Sequence, residues 1–147
     1  MNNFGLTIQT WYMSINLPPW APPVWLFGVA WGIIYPLMAV SFGYVFWKSF
    51  VKHTWRRYVG ALFAVNLLFN LIYSFGTFLA FSGGQTLTDI SHLYWPAAFV
   101  ISVVLITLPI MMFATWEKAK WITFALAPYL LWVTIATMLQ FTINFTN

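Results

Sequence analysis

The chain of 147 residues contains four uncharged apolar runs, each long enough to cross a lipid bilayer. They occupy residues 24–47, 58–82, 94–116 and 121–145. A helix needs about 20 apolar residues to cross the hydrocarbon core, and there the backbone must satisfy its own hydrogen bonds. The runs therefore predict an all-α membrane protein, a bundle of four transmembrane helices that forms one domain over residues 1–147.

The amino-acid balance excludes a water-soluble globular protein. Charged residues make up 5% of the chain and hydrophobic residues 62%, whereas a soluble domain has about 25% charged residues. The chain has no cysteine, which excludes disulfides and thiol chemistry. Its first ten residues lack the basic segment and the continuous apolar core of a cleavable signal peptide, so we expect none.

The basic residues lie in only two of the connections between the spans, 48–57 and 117–120. In a four-span chain these two connections face the same side, and the positive-inside rule makes that side cytoplasmic. We therefore expect a multi-pass protein of a bacterial-type inner membrane with both termini outside. The net charge of +4 is better explained by orientation than by nucleic-acid binding.

The second span carries a polar stripe at membrane depth. Asn66, Asn70, Tyr73 and Thr77 fall on one face of a helix. Because an unpaired amide in hydrocarbon costs several kcal/mol, this face contacts protein, water or a polar ligand atom. Hydrogen bonding between helices is one explanation, and a binding site is the other.

Two further stripes are aromatic. The fourth span places Tyr129, Trp132, Ala136 and Gln140 on one face, and the first span places Trp31, Tyr35 and Met38 on one face. If the three stripes converge, they form an aromatic slot with a few amide groups, which suits a large, flat, mostly apolar molecule. A simple packing face around Ala136 is the alternative.

The spans contain no acid or base, so the sequence predicts no catalytic residues and no proton relay. Asp89 and Glu117 lie in connections on opposite sides, as do His53 and His92. They cannot form a shared metal site. His92 is either a solvated loop residue or an axial haem ligand at the outer rim.

Two segments carry a resemblance to a known family. "WYMSINLPPWAPPVWLFGVAWGIIYPLM" and "PYLLWVTIAT" resemble the lid motif and the last-helix signature of the tryptophan-rich sensory protein/translocator protein (TspO/MBR) family, and "NLLFN" resembles its paired asparagines. In the lid loop the matching residues are Pro18, Trp20, Pro22, Pro23 and Trp25.

The resemblance implies a helical bundle that binds tetrapyrroles such as protoporphyrin IX or haem beneath the lid loop. No cofactor is required for this fold. Some family members bind cholesterol or benzodiazepine-type drugs, and some are linked to porphyrin breakdown or to regulation. The ligand-binding candidates are the matching residues and their neighbours on the same stripes. They are Tyr12, Trp31, Asn66, Asn70, Tyr73, Trp132, Ala136 and Gln140.

Four departures from the family pattern bear on this expectation. Only ten residues precede Trp11, so we expect the family's first transmembrane helix to be absent. Leu17 replaces the usual basic residue of the lid, Tyr73 replaces a common tryptophan, and Gln140 replaces asparagine. The chain also ends without the proposed cholesterol motif, in which Tyr precedes Lys or Arg.

Three functions are compatible with these features. The first is a membrane binding or sensory protein for a tetrapyrrole or similar flat ligand. The second is an accessory structural subunit of a larger membrane complex, and the third is a porphyrin-degrading enzyme. The lipid bilayer, a flat small molecule, and either a second copy or other subunits are the expected partners.

Overall fold

The computed structural model describes residues 3–82 and 93–147, with side chains from Gln9 onward except those of Phe78 and residues 80–82. This part of the chain contains helices and no strand, which confirms the all-α prediction. A π-helical turn, Trp47–Val51, continues the second helix. The five helices are α1 Asn3–Ser14, α2 Val24–Phe46, α3 Arg57–Ser82, α4 Tyr94–Trp116 and α5 Lys120–Thr146.

Four of these helices are long and apolar enough to cross a membrane, as predicted. Their membrane-compatible stretches are Val24–Val51, Arg57–Thr77, Tyr94–Trp116 and Lys120–Thr146. The predicted bounds differ from those of α2, α3, α4 and α5 by one residue or less. Pro36, Pro109 and Pro128 lie inside α2, α4 and α5, which continue through them.

Helix α1 is an addition to the predicted architecture. Its 12 residues extend about 18 Å, which is less than the hydrocarbon core of about 30 Å. From the sequence we expected the family's first transmembrane helix to be absent, and the described residues before Trp11 form part of this shorter helix instead. Trp11 and Tyr12 lie in its last turn.

The main core runs along the middle of the bundle. Helix α4 packs chiefly against α3 and α5, and α2 packs against α5 and α3. The side chains that meet there are aliphatic and aromatic and are almost completely buried. They include Ile34, Met38, Phe42, Val45, Val59, Phe63, Val104, Leu108, Met111, Ile122, Leu126, Tyr129, Trp132 and Val133.

The end of the bundle that carries α1 and the C-terminus of α5 is called the lid end. Tyr12 packs there against Leu139 and Ile143 of α5. The backbone N–H of Asn16 donates to Asn147 Oδ1 at 2.9 Å, and Asn147 Nδ2 donates to the carbonyl of Asn16 at 3.2 Å. These contacts fasten the chain after α1 to the end of α5.

The opposite end, called the basic end, carries the connections 48–57 and 117–120. The ring of Tyr44 contacts Trp55 of the first connection at a centroid distance of 5.9 Å and Trp121 at the start of α5 at 5.3 Å. One aromatic residue therefore ties the two basic connections together. The six basic residues of the chain share this end.

Candidate functional site

The paired asparagines of α3 bind a tyrosine of α5 in the interior of the bundle. Tyr129 donates its hydroxyl hydrogen to Asn66 Oδ1 at 3.1 Å and accepts a hydrogen from Asn70 Nδ2 at 2.9 Å. Asn66 is fully buried, Asn70 is 3% exposed and Tyr129 is 1% exposed. Asn66 and Asn70 are four residues apart and therefore lie one turn apart on the same face of α3, so the single hydroxyl of Tyr129 contacts both amides.

Asn66 also links α3 to α4. Its Nδ2 donates to Thr107 Oγ1 at 2.7 Å and to the carbonyl of Val104 at 3.1 Å. Both hydrogens and the carbonyl oxygen of this amide therefore have partners. Asn66 is a structural residue of the α3–α4–α5 junction, as the alternative of interhelical hydrogen bonding supposed.

A second polar group lies nearer the lid end. Tyr73 donates to Gln140 Oε1 at 3.1 Å, and Gln140 Nε2 donates to Asn144 Oδ1 at 3.0 Å. Asn144 Nδ2 then donates to the carbonyl of Tyr94 at 3.0 Å. Two of the positions expected to depart from the family pattern, Tyr73 and Gln140, thus bind each other.

Aromatic rings from α2 and α5 meet beside the asparagines. Trp31 stacks on Tyr35 with centroids 5.0 Å apart and lies 6.5 Å from the ring of Tyr129. Phe27 contacts Trp132 edge to face at 5.2 Å. Ala136, one turn after Trp132, is partly buried against the same core. The structure therefore brings the three sequence stripes together.

Two buried polar atoms in this group have no partner among the described residues. They are the indole N–H of Trp132 and the carbonyl oxygen of Asn70. Trp132 is 7% exposed, so its donor is withdrawn from solvent. Leaving a buried donor or acceptor without a partner costs about 1–3 kcal/mol. An unpaired donor and an unpaired acceptor together suit a ligand that offers both kinds of group.

The lid segment, residues 17–25, is held down by Tyr12. The Tyr12 hydroxyl donates to the carbonyl of Pro22 at 2.7 Å, and the Tyr12 ring contacts Phe27 edge to face at 5.6 Å. Burial raises the pKa of this hydroxyl, which keeps it a hydrogen-bond donor. The rings of Tyr12, Phe27 and Trp132 thus form a continuous series from the lid into the bundle.

The other lid residues lie at the surface or support the turn. The backbone N–H of Ala21 donates to the carbonyl of Pro18 at 3.0 Å. Pro22 is buried and Pro23 precedes the first turn of α2. Trp20 is 47% exposed and Trp25 67% exposed, as expected for residues that anchor a segment at a membrane interface.

A cleft of about 500 Å³ opens between α1 and the lid segment. Tyr12 is the ligand-binding candidate that lines it, together with the lid residues Pro22, Pro23 and Trp25. Its other lining residues are Gln9, Met13, Leu17, Ala21 and Val24. Trp31, Asn66, Asn70 and Trp132 are not among the lining residues. Tyr12, which lines the cleft, contacts Phe27, and Phe27 in turn contacts Trp132.

The remaining candidates concern metal binding. No group of three His, Asp or Glu side chains that could hold a metal ion occurs in residues 3–82 and 93–147. Asp89 and His92 lie outside the described residues, so the hypothesis that His92 is an axial haem ligand stays a prediction.

Some residues of the site were not among the sequence-based candidates. Phe27 contacts both Tyr12 and Trp132, and Thr107 binds Asn66. The position of Tyr129 on the Trp132 stripe was a usable signal for its role. Thr107 gave no such signal, since a threonine in a span commonly bonds to its own helix, as Thr107 also does to the carbonyl of Val103 at 2.9 Å.

Comparison with known proteins agrees with the all-helical membrane fold. The model of the TspO/MBR family matches residues 3–146. A tryptophan-rich protein TspO of Chlorobaculum tepidum is 32% identical, with 90% of this chain and 77% of the relative covered. Protein CrtK of Rhodobacter capsulatus is 31% identical, covering 90% and 76%. A tryptophan-rich protein TspO of Bacillus cereus is 28% identical, covering 95% and 82%.

Proposed function

Because the chain belongs to the TspO/MBR family, we propose that it is an integral membrane protein that binds a tetrapyrrole or a similarly flat, mostly apolar molecule. The ligand site lies between α2, α3 and α5. The observation that carries the proposal is the pair of buried, unpartnered atoms, Trp132 Nε1 and Asn70 Oδ1, beside the aromatic rings of α2.

The chemistry of a tetrapyrrole matches these two atoms. A propionic acid side chain of a porphyrin offers an O–H donor for Asn70 Oδ1 and a carboxyl oxygen as acceptor for the Trp132 indole N–H. Its flat face suits the rings of Trp31 and Phe27, since aromatic surfaces associate by stacking and edge-to-face contact. A hydrated ion suits none of these groups.

Phe27 of α2 contacts Trp132 of α5, and Trp31 of α2 lies beside Tyr129 of α5, so we infer that α2 moves outward to admit a ligand between these rings. Helix α2 is the least buried of the four membrane-compatible helices. A hydrogen bond of 3.2 Å joins Tyr35 of α2 to Ser74 of α3. While α2 moves, the hydrogen bonds from Asn66 to Thr107 and from Tyr129 to Asn66 keep α3, α4 and α5 together.

The cleft beside the lid supplies the access route. Tyr12 and Phe27 stand between the cleft and Trp132, with ring centroids 5.6 Å apart. Rotation of these two rings connects the cleft to the unpartnered indole. The lid segment therefore acts as a closure over the ligand, and the Tyr12–Pro22 hydrogen bond holds it closed.

The proposed orientation places the basic end in the cytoplasm and the lid end outside. All six basic residues lie at the basic end, which satisfies the positive-inside rule for a bacterial-type inner membrane. The ligand then reaches the cleft from the outer side.

A binding titration of the full chain in detergent with protoporphyrin IX tests the proposal. Porphyrin absorbance is the readout, because tryptophan fluorescence changes with each tryptophan substitution. We expect saturable binding that weakens about two- to tenfold in Trp132→Phe, the cost of one hydrogen bond. Trp95→Phe is the matched control, because Trp95 is 54% exposed and contacts Phe141 and Phe145 instead. Equal affinity of the two variants contradicts the site.

A further inference from the structure

We propose that the basic end holds the phosphate headgroup of an anionic phospholipid between Lys48 and Lys52, beside Trp47. This site lies at the opposite end of the bundle from Trp132. It shares no residue with the tetrapyrrole site and does not depend on it.

Two ammonium groups meet at one indole ring. Lys48 Nζ lies 5.2 Å from the ring centroid of Trp47, and Lys52 Nζ lies 5.5 Å from the same centroid. Lys48 Nζ also lies 5.5 Å from the ring of Tyr44. Each contact is a favourable cation–π interaction, but two like charges on one ring repel each other. An anion bound near both ammonium groups reduces that repulsion.

The protein supplies little negative charge at this end. The connections 48–57 and 117–120 contain six basic residues and a single carboxylate, Glu117. Glu117 lies after α4, whereas Lys48 and Lys52 follow α2. The two lysines therefore form a positively charged site that an external anion can neutralise.

Backbone hydrogen bonds join residues 47–48 to residues 52–55 and so close a loop around the two lysines. The carbonyl of Lys48 accepts hydrogens from the N–H of Thr54 at 2.9 Å and of Trp55 at 3.2 Å, and the N–H of Lys52 donates to the carbonyl of Trp47 at 2.8 Å. The π-helical turn and the following residues thus form a compact loop. Such a loop fixes the backbone that carries both lysines and Trp47 before any ligand arrives, which lowers the entropic cost of binding.

The surroundings favour a lipid over a soluble anion. Trp47, Phe50 and Val51 are 43%, 43% and 66% exposed at the end of an apolar span. Tryptophan is enriched at the level of the lipid headgroups, and basic pockets on the cytoplasmic side of membrane helices recognise acidic headgroups. A phospholipid occupies both parts of this site, with its phosphate at the lysines and its acyl chain along the apolar side chains.

Native mass spectrometry of the full chain, titrated with phosphatidylglycerol or phosphatidylcholine, tests the proposal. We expect one tightly retained phosphatidylglycerol and weaker retention of phosphatidylcholine. Lys48→Gln and Lys52→Gln each weaken phosphatidylglycerol binding by about fivefold, since a lysine near an anionic surface contributes about 1 kcal/mol. The matched control is Lys118→Gln. It removes the same charge from an exposed side chain at the same end, and we expect less than about a twofold change from it.

Three outcomes overturn the proposal. Equal retention of the two lipids shows that the headgroup charge is not recognised. An equal loss in Lys118→Gln and Lys48→Gln shows a diffuse charge effect rather than a site. Displacement of the lipid by an equimolar amount of inorganic phosphate shows that a free anion is the ligand. Porphyrin binding by Lys48→Gln is expected to match the wild-type value, which keeps this test separate from that of the tetrapyrrole site.

Discussion

Asn70 donates an amide hydrogen to the Tyr129 hydroxyl at 2.9 Å, while its own buried carbonyl oxygen has no partner among the described residues. Asn66, one turn earlier on α3, uses both its amide group and its carbonyl oxygen. The two asparagines of one motif therefore have different roles. Asn66 joins three helices, and Asn70 presents an acceptor to the proposed ligand.

Replacement of Asn66 by leucine is expected to destabilise the protein without ligand. It removes three hydrogen bonds and leaves the hydroxyls of Tyr129 and Thr107 without that partner. Membrane hydrogen bonds contribute about 0.6 kcal/mol each on average, so we expect a loss of about 2 kcal/mol. Thermal unfolding in detergent measures it. Asn70→Leu is the comparison, because it removes one bond and one unpaired oxygen. A larger loss in Asn70→Leu than in Asn66→Leu would contradict the assigned roles.

Gly60 marks a close approach between the start of α3 and the π-helical turn. A Cβ atom at this position would lie 2.6 Å from the ring of Phe50 and 2.8 Å from Cβ of Ser49. Overpacking of this kind costs about 1–3 kcal/mol, so Gly60→Ala is expected to lower the unfolding temperature in detergent. Gly43→Ala is the control, since a Cβ there meets no atom within 4 Å. Equal unfolding temperatures for the two variants would argue against this packing.

Tyr12→Phe is expected to loosen the lid segment. The substitution removes the hydrogen bond to the Pro22 carbonyl but keeps the ring that contacts Phe27. One hydrogen bond contributes about 0.5–1.5 kcal/mol, so bound protoporphyrin IX should dissociate about two- to tenfold faster. Stopped-flow exchange against excess apomyoglobin measures this rate. An unchanged rate would mean that the lid does not limit release.

The raised pKa of Tyr12 gives a pH dependence with a definite sign. Burial raises the pKa of this hydroxyl above its ordinary value of 10.0, which we take for the unfolded chain. Below that pH both states keep the proton, and above it the unfolded state loses the proton first. Stability conferred by protonated Tyr12 is therefore lost as the pH rises through the folded-state pKa. Between about pH 8 and about pH 11, unfolding temperatures should fall more steeply for the wild type than for Tyr12→Phe. Parallel curves would show that Tyr12 is not buried in solution.

The four spans could be predicted from the sequence because a bilayer leaves few choices. An uncharged run of more than 20 residues must hydrogen-bond internally, which selects a helix. At the basic end the flanking charges also mark where each helix ends. The family motif also pointed to the asparagines of α3 and to Trp31 and Trp132. Helical periodicity then placed Tyr129 on the same face as Trp132.

Helix α1, the π-helical turn and the unpaired Trp132 indole depend on contacts between separate helical elements, which the hydrophobic periodicity of the sequence does not reveal. The short helix α1 has a mixed sequence and is fastened by contacts of Tyr12 with residues more than a hundred positions away, Leu139 and Ile143. The π-helical turn at Trp47–Val51 packs Ser49 and Phe50 against Gly60 of α3, a contact between two helical elements of the bundle. The unpaired state of Trp132 Nε1 is visible only when every neighbouring acceptor has been located.

The most direct test of the tetrapyrrole site is the NMR signal of the Trp132 indole N–H. The chain has ten tryptophans, and the Trp132→Phe spectrum assigns this signal by its disappearance. When wild-type protein in detergent is saturated with protoporphyrin IX, hydrogen bonding should move the Trp132 signal downfield from its ligand-free position. The signal of exposed Trp95 should stay at its ligand-free position. A Trp132 signal that stays in place while porphyrin absorbance reports full binding would contradict the proposed site.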